Sequence, residues 1–187
     1  VEQLHKRGLV FRPGQMNAQD LRVKLVDFGS AVYHDSQRAS VVSTRHYRAP
    51  EIILKLGWSY PCDLWSMGCI LYELYTGEVL FGVSEEVTHL AAMQRVIQPF
   101  PQWMLHKALY RGVSPSLIRK AGDRLELDVE GAGLPEASLK ALHRSRPLSA
   151  VIRDGLLLDL IRAMLQLDPA KRIAASEALM HPFFGAP

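Results

Sequence analysis

The residues best suited to chemistry stand at the two ends of a polar stretch near the start of the chain. Asp27 follows an alternating apolar run through Val26 and is itself followed by Phe28 and Gly29. A carboxylate at the end of a strand, with a glycine close behind it to allow an unusual φ, is well placed to hold Mg²⁺ against phosphate groups. Taken alone, these three residues also fit an ordinary turn.

The other end of the polar stretch is Ala-Pro-Glu at 49–51, which begins 22 residues after Asp27. Between them lies a loop rich in Ser, Thr, Arg and His, and loops of this length are usually functional or disordered. Asp-Phe-Gly and Ala-Pro-Glu at this spacing bracket the activation segment of protein kinases. The run Asp-Leu-Trp-Ser-Met-Gly-Cys at 63–69 follows in the same order, which makes a chance match a poor explanation.

The chain therefore resembles the C-terminal lobe of a eukaryotic protein kinase over residues 1–10 and 21–187. The run Ser-Thr-Arg-His-Tyr-Arg-Ala-Pro-Glu at 43–51 resembles the CMGC group. Residues 26–31 and 56–66 resemble the CDC-like, or LAMMER, kinases within that group. The subfamily signature Glu-His-Leu-Ala-Met-Met-Glu-Arg is present only in part at 88–95, where both acidic positions are lost.

Patterning predicts a mainly α-helical unit with minimal sheet. Helices are predicted over 50–56, 63–76, 85–98, 157–165 and 174–180. A strand is predicted from Leu21 through Val26. The helix over 63–76 is apolar on every face, so it is expected to be buried all round and to end at Gly77. Ser84 is expected to cap the helix over 85–98.

The resemblance implies a domain organisation for the whole chain. Residues 1–187 would form a partial protein kinase domain, the C-terminal lobe, with the N-terminal lobe absent. Residues 27–51 would be the activation segment. Residues 99–150 contain five prolines and are expected to be irregular; the resemblance makes them a CMGC-type insert.

The resemblance also implies roles for single residues. Asp27 would bind Mg²⁺, with ATP as the phosphate donor. Thr44 would line the substrate pocket beside the catalytic loop. Glu51 would form a buried structural pair with Arg172. Asp63 would sit in the buried helix and accept hydrogen bonds from the catalytic-loop backbone, or it would simply cap its own helix.

Four residues of the activation segment are candidates for contact with phosphate or substrate. Ser40 and Ser43 are candidates for modification by another kinase. Arg45 and Arg48 could meet a phosphate group or a primed substrate. The alternative, that both arginines belong to a solvated loop, fits the sequence equally well.

Departures from the family pattern bear on activity. Residues 4–10 resemble the helix end before a kinase catalytic loop, after which the family has His-Arg-Asp and then Lys and Asn. This chain has Phe-Arg-Pro-Gly at 11–14; the first Lys after this run is Lys24, and Asn17 is out of register. Pro13 cannot accept a proton, and the Gly-rich loop, strand Lys and helix Glu of an N-terminal lobe are also missing. Phosphoryl transfer needs these parts, so we expect the 187-residue chain to be inactive.

Three classes of function are left open. The first is an enzyme fragment, a Ser/Thr or dual-specificity kinase lobe whose complete form phosphorylates proteins such as Arg/Ser-rich splicing factors. The second is a pseudokinase-like binding module, although a net charge of +3 does not favour Arg-rich partners. The third is a nucleic-acid binder, suggested by a pI near 9.0 but disfavoured because no recognition motif or interleaved aromatic platform is evident.

Composition excludes several other classes. A 48% hydrophobic chain with a small net charge is not disordered. Cys62 and Cys69 are too few for a disulfide scaffold and are expected to be buried on one helix. No cluster of Cys and His has zinc-ligand spacing, and no apolar run is long enough for a membrane span. An intracellular location, in the nucleus or cytoplasm, is expected.

Overall fold

The structure is a computed structural model that describes residues 24–33, 35–36, 39–114 and 117–185. The chain divides into two compact units, Val1–Arg38 and Ala39–Pro187, and each is considered by itself. The predictions for residues 1–23, including the helix end before a catalytic loop and the altered loop at 11–14, lie outside the described residues.

The first unit is described only over a short stretch. Residues 24–26 have no regular secondary structure, so the predicted strand is wrong there, and its remaining residues, 21–23, lie outside the described part. A strand depends on a neighbour to take its hydrogen bonds, and Leu25 and Val26 are exposed. A 3-10 turn, Phe28–Ser30, follows Asp27.

The second unit is mainly helical, which confirms the predicted fold class. Its helices in chain order are α1 Pro50–Ile53, α2 Pro61–Thr76, α3 Glu86–Val96, α4 Gln102–Tyr110, α5 Glu136–Arg144, α6 Leu148–Val151, α7 Gly155–Met164 and α8 Ala175–Leu179. Strands β1 Ile118–Ala121 and β2 Arg124–Leu127 pair antiparallel, with Ala121 opposite Arg124. Two 3-10 turns, Arg45–Tyr47 and Pro182–Phe184, complete the described elements.

Helix α2 packs against α7 more extensively than any other two described helices pack together. Gly68 of α2 permits this close approach, because a Cβ at that position would lie 2.9 Å from the Leu165 side chain. From the buried face of α2, Trp65 stacks on Phe81 with ring centroids 5.9 Å apart. Both rings are almost completely buried, so this stack connects α2 to the segment before α3.

The central helix α2 is buried along one stripe only. The buried residues of α2 are Cys62, Trp65, Gly68 and Cys69. Leu74 is 77% exposed and Met67 is 44% exposed, so the prediction of burial on all sides is wrong. Apolar residues are common on protein surfaces, and an apolar sequence alone does not establish burial. The helix ends at Gly77 as predicted, and both cysteines are buried free thiols with a raised pKa.

Residues 99–150 are more ordered than the sequence predicted. They contain α4, the hairpin, α5 and α6. Pro101, Pro135 and Pro147 each stand directly before one of these helices in an extended conformation. A proline presets φ near −65°, and its missing N–H is not needed where a helix begins. The expectation of an irregular segment was wrong because these prolines start helices instead of preventing them.

Other helix boundaries were predicted with mixed success. Helix α1 begins at Pro50 as expected but ends at Ile53, short of Gly57. Helix α3 follows Glu85, so Ser84 is not its cap, and Glu85 makes no side-chain capping hydrogen bond. The amphipathic α7 and the short α8 are confirmed. Within the described ranges, no helix has the length and apolar character needed to cross a bilayer.

Candidate functional site

Glu51 and Arg172 form the predicted buried ion pair. Nη1 and Nη2 of Arg172 donate to the two Glu51 carboxylate oxygens at 2.7 and 2.9 Å. The guanidinium also donates to the carbonyls of Pro61 at 2.8 Å and Gln166 at 3.0 Å, and it lies 5.2 Å from the Trp65 ring centroid. Both paired side chains are at most 1% exposed. The pair therefore fastens the start of α1 to the segment that follows α7.

Arg48 holds the backbone just before the Arg45–Tyr47 turn. Its Nε donates to the carbonyl of Val42 at 3.0 Å and its Nη2 donates to the carbonyl of Ser43 at 2.9 Å. Ser43 has a φ of 64°, in the left-handed region that a non-glycine residue adopts at a cost of about 1–2 kcal/mol. The guanidinium thus stabilises an unfavourable turn, a role that neither the phosphate nor the solvated-loop hypothesis anticipated.

Arg45 and His46 connect the same turn to the segment between α2 and α3. Arg45 donates from Nη1 to the carbonyl of Ser84. Nδ1–H of His46 donates to the carbonyl of Phe81 at 2.9 Å. Since a carbonyl oxygen can only accept, this contact sets which ring nitrogen of His46 carries the proton.

Tyr47 and its neighbours attach the turn to α2. The Tyr47 hydroxyl donates to the Glu73 carboxylate at 2.7 Å, and this hydrogen bond is the main reason that the pKa of Tyr47 is raised. Ser66 Oγ donates to the carbonyl of Tyr47 at 2.9 Å. Further along, Nε1 of Trp58 donates to the carbonyl of Ala39 at 2.8 Å. Residues 39–51, named here the anchored segment, are therefore tied to the second unit at many points.

The hydroxyl candidates lie on the outside of the anchored segment. Ser40, Ser43 and Thr44 are all exposed. Thr44 precedes the 3-10 turn, and its side chain makes no capping hydrogen bond. A backbone fixed from within, with small polar side chains facing solvent, is suited to receive an extended peptide.

Asp63 does not occupy the buried position expected of it. It lies in the first turn of α2 and is exposed. Its described contact is a long one, in which Sγ of Cys62 donates to its carboxylate at 3.8 Å. The error follows from the wrong expectation that α2 is covered on all sides. A carboxylate in the first turn of a helix remains favourable because it faces the positive end of the helix dipole.

Asp27 belongs to the first unit and is exposed there. Its own backbone is left-handed, with φ 66° and ψ 67°, so the unusual φ falls on the aspartate and not on Gly29. Among the described residues, no group of three or more His, Cys, Asp or Glu is arranged to hold a metal ion. One carboxylate does not make a magnesium site, so the described residues alone do not fit the ion. The assignment of Asp27 to Mg²⁺ stays a prediction.

His89 on α3 is a packed histidine. It is 1% exposed and its ring is tilted against Phe81 at a centroid distance of 5.4 Å. Its Nε2 has no hydrogen-bond partner in the described part of the chain. Burial lowers the pKa of His89 to about 3, with smaller contributions from the positive charges of His46, Arg48 and Arg45. A neutral imidazole of this kind contributes packing and does not transfer protons near neutral pH.

Sequence reasoning missed most of the bonds that fix the anchored segment. The available signal was the unbroken run of hydrogen-bonding side chains from Arg45 to Arg48, which ends two residues before the helix-starting Pro50. Polar groups that become buried require partners, so such a run predicts acceptors nearby. It does not predict which ones, because Phe81, Ser84 and Glu73 come from elements that only the fold brings close.

Comparison with known proteins agrees with this geometry. The protein kinase domain family model matches residues 2–184. Serine/threonine-protein kinase AFC2 of Arabidopsis thaliana is 46% identical over 168 residues, covering 87% of this chain and 38% of that protein. Dual specificity protein kinase CLK1 of Homo sapiens is 46% identical over 167 residues, covering 87% of this chain and 32% of that protein.

A solved kinase-domain crystal structure matches the fold with a TM-score of 0.80 at 40% identity, covering 86% of this chain and 46% of that one. The chain thus spans less than half the length of each of these relatives. The family match nevertheless extends over nearly every residue of the chain, and the resemblance to CDC-like kinases of the CMGC group is confirmed. This chain belongs to the protein kinase domain family.

Proposed function

We propose that this chain is the substrate-binding C-terminal lobe of a CDC-like Ser/Thr or dual-specificity kinase. Residues 27–51 are its activation segment and 99–150 its insert. In complete kinases of the family, the corresponding lobe presents the hydroxyl group of a protein substrate to the γ-phosphate of ATP bound with Mg²⁺. The anchored segment carries this proposal, because its backbone is fixed while its hydroxyl side chains face solvent.

Positioning is the main contribution of a protein to phosphoryl transfer. An acceptor peptide must be held so that its hydroxyl is aligned with the phosphorus atom, and a loose binding segment cannot do this. Arg48 and Glu51 remove that looseness at two points of the anchored segment. The segment is therefore able to bind peptide without first being ordered by another group.

Arg/Ser-rich proteins are the substrate class that we propose for the complete kinase. The resemblance to CDC-like kinases supports it, and so do two carboxylates beside the anchored segment. Arg45 donates to the carbonyl of Ser84, which brings the neighbouring Glu85 and the exposed Glu86 close to the segment. Hydrogen bonds, first of all with Ser138, lower the pKa of Glu85 and favour its charged form. These carboxylates would attract substrate arginines.

We also propose that the 187-residue chain binds without catalysing, in the nucleus or cytoplasm. The family's general-base Asp is either replaced by Pro13 or deleted in this sequence, and a proline cannot accept the proton of the attacking hydroxyl. With the base replaced, the chain is a pseudokinase-like module that holds partners, and it binds ATP and Mg²⁺ only weakly.

Two measurements on the purified chain test these proposals. Incubation with labelled ATP, Mg²⁺ and an Arg/Ser-rich peptide is expected to give no phosphopeptide above background, and turnover that disappears in Asp27→Ala would contradict this. Anisotropy of the same labelled peptide is expected to show binding that weakens in Arg48→Ala. The matched control is Arg162→Ala, an exposed arginine on α7. No binding, or equal weakening in both variants, would refute the substrate-binding role.

A further inference from the structure

Helix α4 carries an exposed stripe that the kinase role does not use. Trp103, His106, Lys107, Tyr110 and Arg111 are all exposed. Their spacing of i, i+3, i+4, i+7 and i+8 puts them on one face of the helix and of the residue that ends it. Trp103 is 43% exposed and Tyr110 is 89% exposed, so two large aromatic rings lie at the surface of a single short helix. These five residues are named here the α4 stripe.

The opposite face of α4 fixes the helix to the rest of the second unit. Met104, Leu105 and Ala108 are buried in the core. At the start of the helix, the Gln102 side chain both donates to the carbonyl of Leu125 at 3.0 Å and accepts from its N–H at 2.8 Å. This two-way bond pairs Gln102 with β2 much as a neighbouring strand would. The α4 stripe is therefore presented on a rigid support.

The charge of the α4 stripe has one sign. The sequence of α4 contains no Asp or Glu, and none of the ion pairs within the described ranges involves Lys107 or Arg111. Lys107 instead lies over the Trp103 ring, with Nζ 6.0 Å from the ring centroid. The stripe thus offers two positive charges that form no ion pair within the described ranges, Lys107 between the two aromatic residues and Arg111 directly after Tyr110.

We propose that the α4 stripe is a docking site for an acidic amphipathic helix of a partner protein. Lys107 and Arg111 are four residues apart, which matches carboxylates spaced i, i+4 on a helix lying alongside. Trp103 and Tyr110 are seven residues apart, about 10 Å along the axis, which matches apolar side chains two turns apart on the same partner. Trp, Tyr and Arg are the residue types that dominate binding energy at protein interfaces.

Nucleic acid fits the α4 stripe less well than an acidic helix does. Stacking of successive bases needs several free aromatic faces, and Lys107 already covers one face of Trp103. A phosphate backbone also needs a positive path that continues beyond the stripe. Arg119 of the adjacent hairpin does not extend one, because it is paired with Glu126 and Glu130, at 3.8 and 3.2 Å.

The test uses the full chain and a fluorescein-labelled synthetic peptide. The peptide is helical, with Glu at i, i+4 and Leu at i, i+7, and its matched control replaces each Glu with Lys. Lys107→Glu with Arg111→Glu reverses the charges of the α4 stripe. Arg162→Glu with Lys171→Glu changes the net charge equally at two exposed residues outside the stripe. Circular dichroism verifies that both double variants remain folded.

We expect anisotropy to show binding of the acidic peptide only. Binding should weaken at least tenfold in the charge reversal of the α4 stripe, severalfold in Tyr110→Ala, and little in the charge-matched control. Added salt should weaken it as well, because the charges are exposed.

Three results would overturn the proposal. The first is no binding of the acidic peptide, or equal loss of binding in both double variants, which would mean a response to net charge alone. The second is tighter binding of oligouridylate than of the peptide, which would make the α4 stripe a nucleic-acid site. The third is self-association of the chain that the charge reversal abolishes, seen by sedimentation, which would make a second copy the occupant.

Discussion

Removing one partner of the Glu51–Arg172 pair is expected to destabilise the chain severely. Both side chains are at most 1% exposed, so Glu51→Gln leaves a guanidinium charge without its counter-ion where water does not reach. Breaking a buried pair in this way costs about 3–5 kcal/mol, a large part of a typical stability of about 5–15 kcal/mol. At about 2–4 °C per kcal/mol for a chain of this size, Tm should fall by roughly 6–20 °C.

Removing both charges together should be less harmful than the sum of the single changes. In Glu51→Leu with Arg172→Met no buried charge remains, and apolar replacement of a buried pair is often neutral. The carbonyls of Pro61 and Gln166 nevertheless lose the donors that Arg172 supplies, at about 1–3 kcal/mol for each unsatisfied group. The double variant should therefore fall between the single variants and the wild type.

Urea denaturation followed by tryptophan fluorescence measures these differences. The matched control is Glu136→Gln, which breaks an exposed pair with Lys140 that has the same 2.7 Å separation and is worth only about 0.3–0.5 kcal/mol. If Glu51→Gln were no more destabilising than Glu136→Gln, the burial argument would be refuted and the pair would be structurally dispensable.

Three further changes test other parts of the second unit. Arg48→Ala leaves the carbonyls of Val42 and Ser43 without their donor. It is expected to lower the free energy of unfolding by about 1–3 kcal/mol and to speed amide hydrogen exchange over residues 42–48. Unchanged exchange would contradict the stabilising role of Arg48. The pKa of His89 is about 6.5 in the unfolded chain and about 3 in the folded chain. Between pH 7 and pH 5 the unfolded chain alone gains a proton, so the free energy of unfolding of the wild type should fall by about 2 kcal/mol more than that of His89→Leu. An equal fall in both proteins, measured by urea denaturation, would be evidence against this. Gly68→Ala places a Cβ 2.9 Å from the Leu165 side chain, and urea denaturation should show a loss of about 1–3 kcal/mol in the free energy of unfolding. Gly82→Ala is the control: its Cβ would have nothing within 4 Å, so its free energy of unfolding should change little.

Periodicity and family motifs predicted the parts of this fold that depend on local sequence. The apolar repeat of α7 located the ends of that helix to within two residues. The motif positions of Glu51 and Arg172 predicted a contact between residues 121 apart, which no local pattern could supply. In this case the information came from the resemblance, because side chains distant in sequence meet only through the fold.

Prolines misled the prediction for residues 99–150, for a physical reason. A proline disrupts a helix when it falls in the interior, but directly before the first turn its fixed φ helps the helix begin. Pro101, Pro135 and Pro147 all lie directly before the first turn of a helix. The residues after each of them had the helical composition needed to decide between the two cases. Because of the same error the sequence analysis did not predict α4. It therefore did not predict the α4 stripe either, since Trp103 and Tyr110 share one face only when the segment is helical.

Arg48 shows why residue type alone did not establish the role of a charged side chain. A guanidinium in a loop rich in Ser and Thr suits a phosphate, and the sequence offers no reason to prefer another acceptor. In the structure, the Arg48 guanidinium instead donates to the carbonyls of Val42 and Ser43. These hydrogen bonds stabilise the left-handed backbone of Ser43. A phosphate on Ser40 or Ser43 would have to compete with these bonds for Arg48. The shape of the anchored segment is thus maintained by the lobe itself, and modification would alter a turn that already exists instead of creating one.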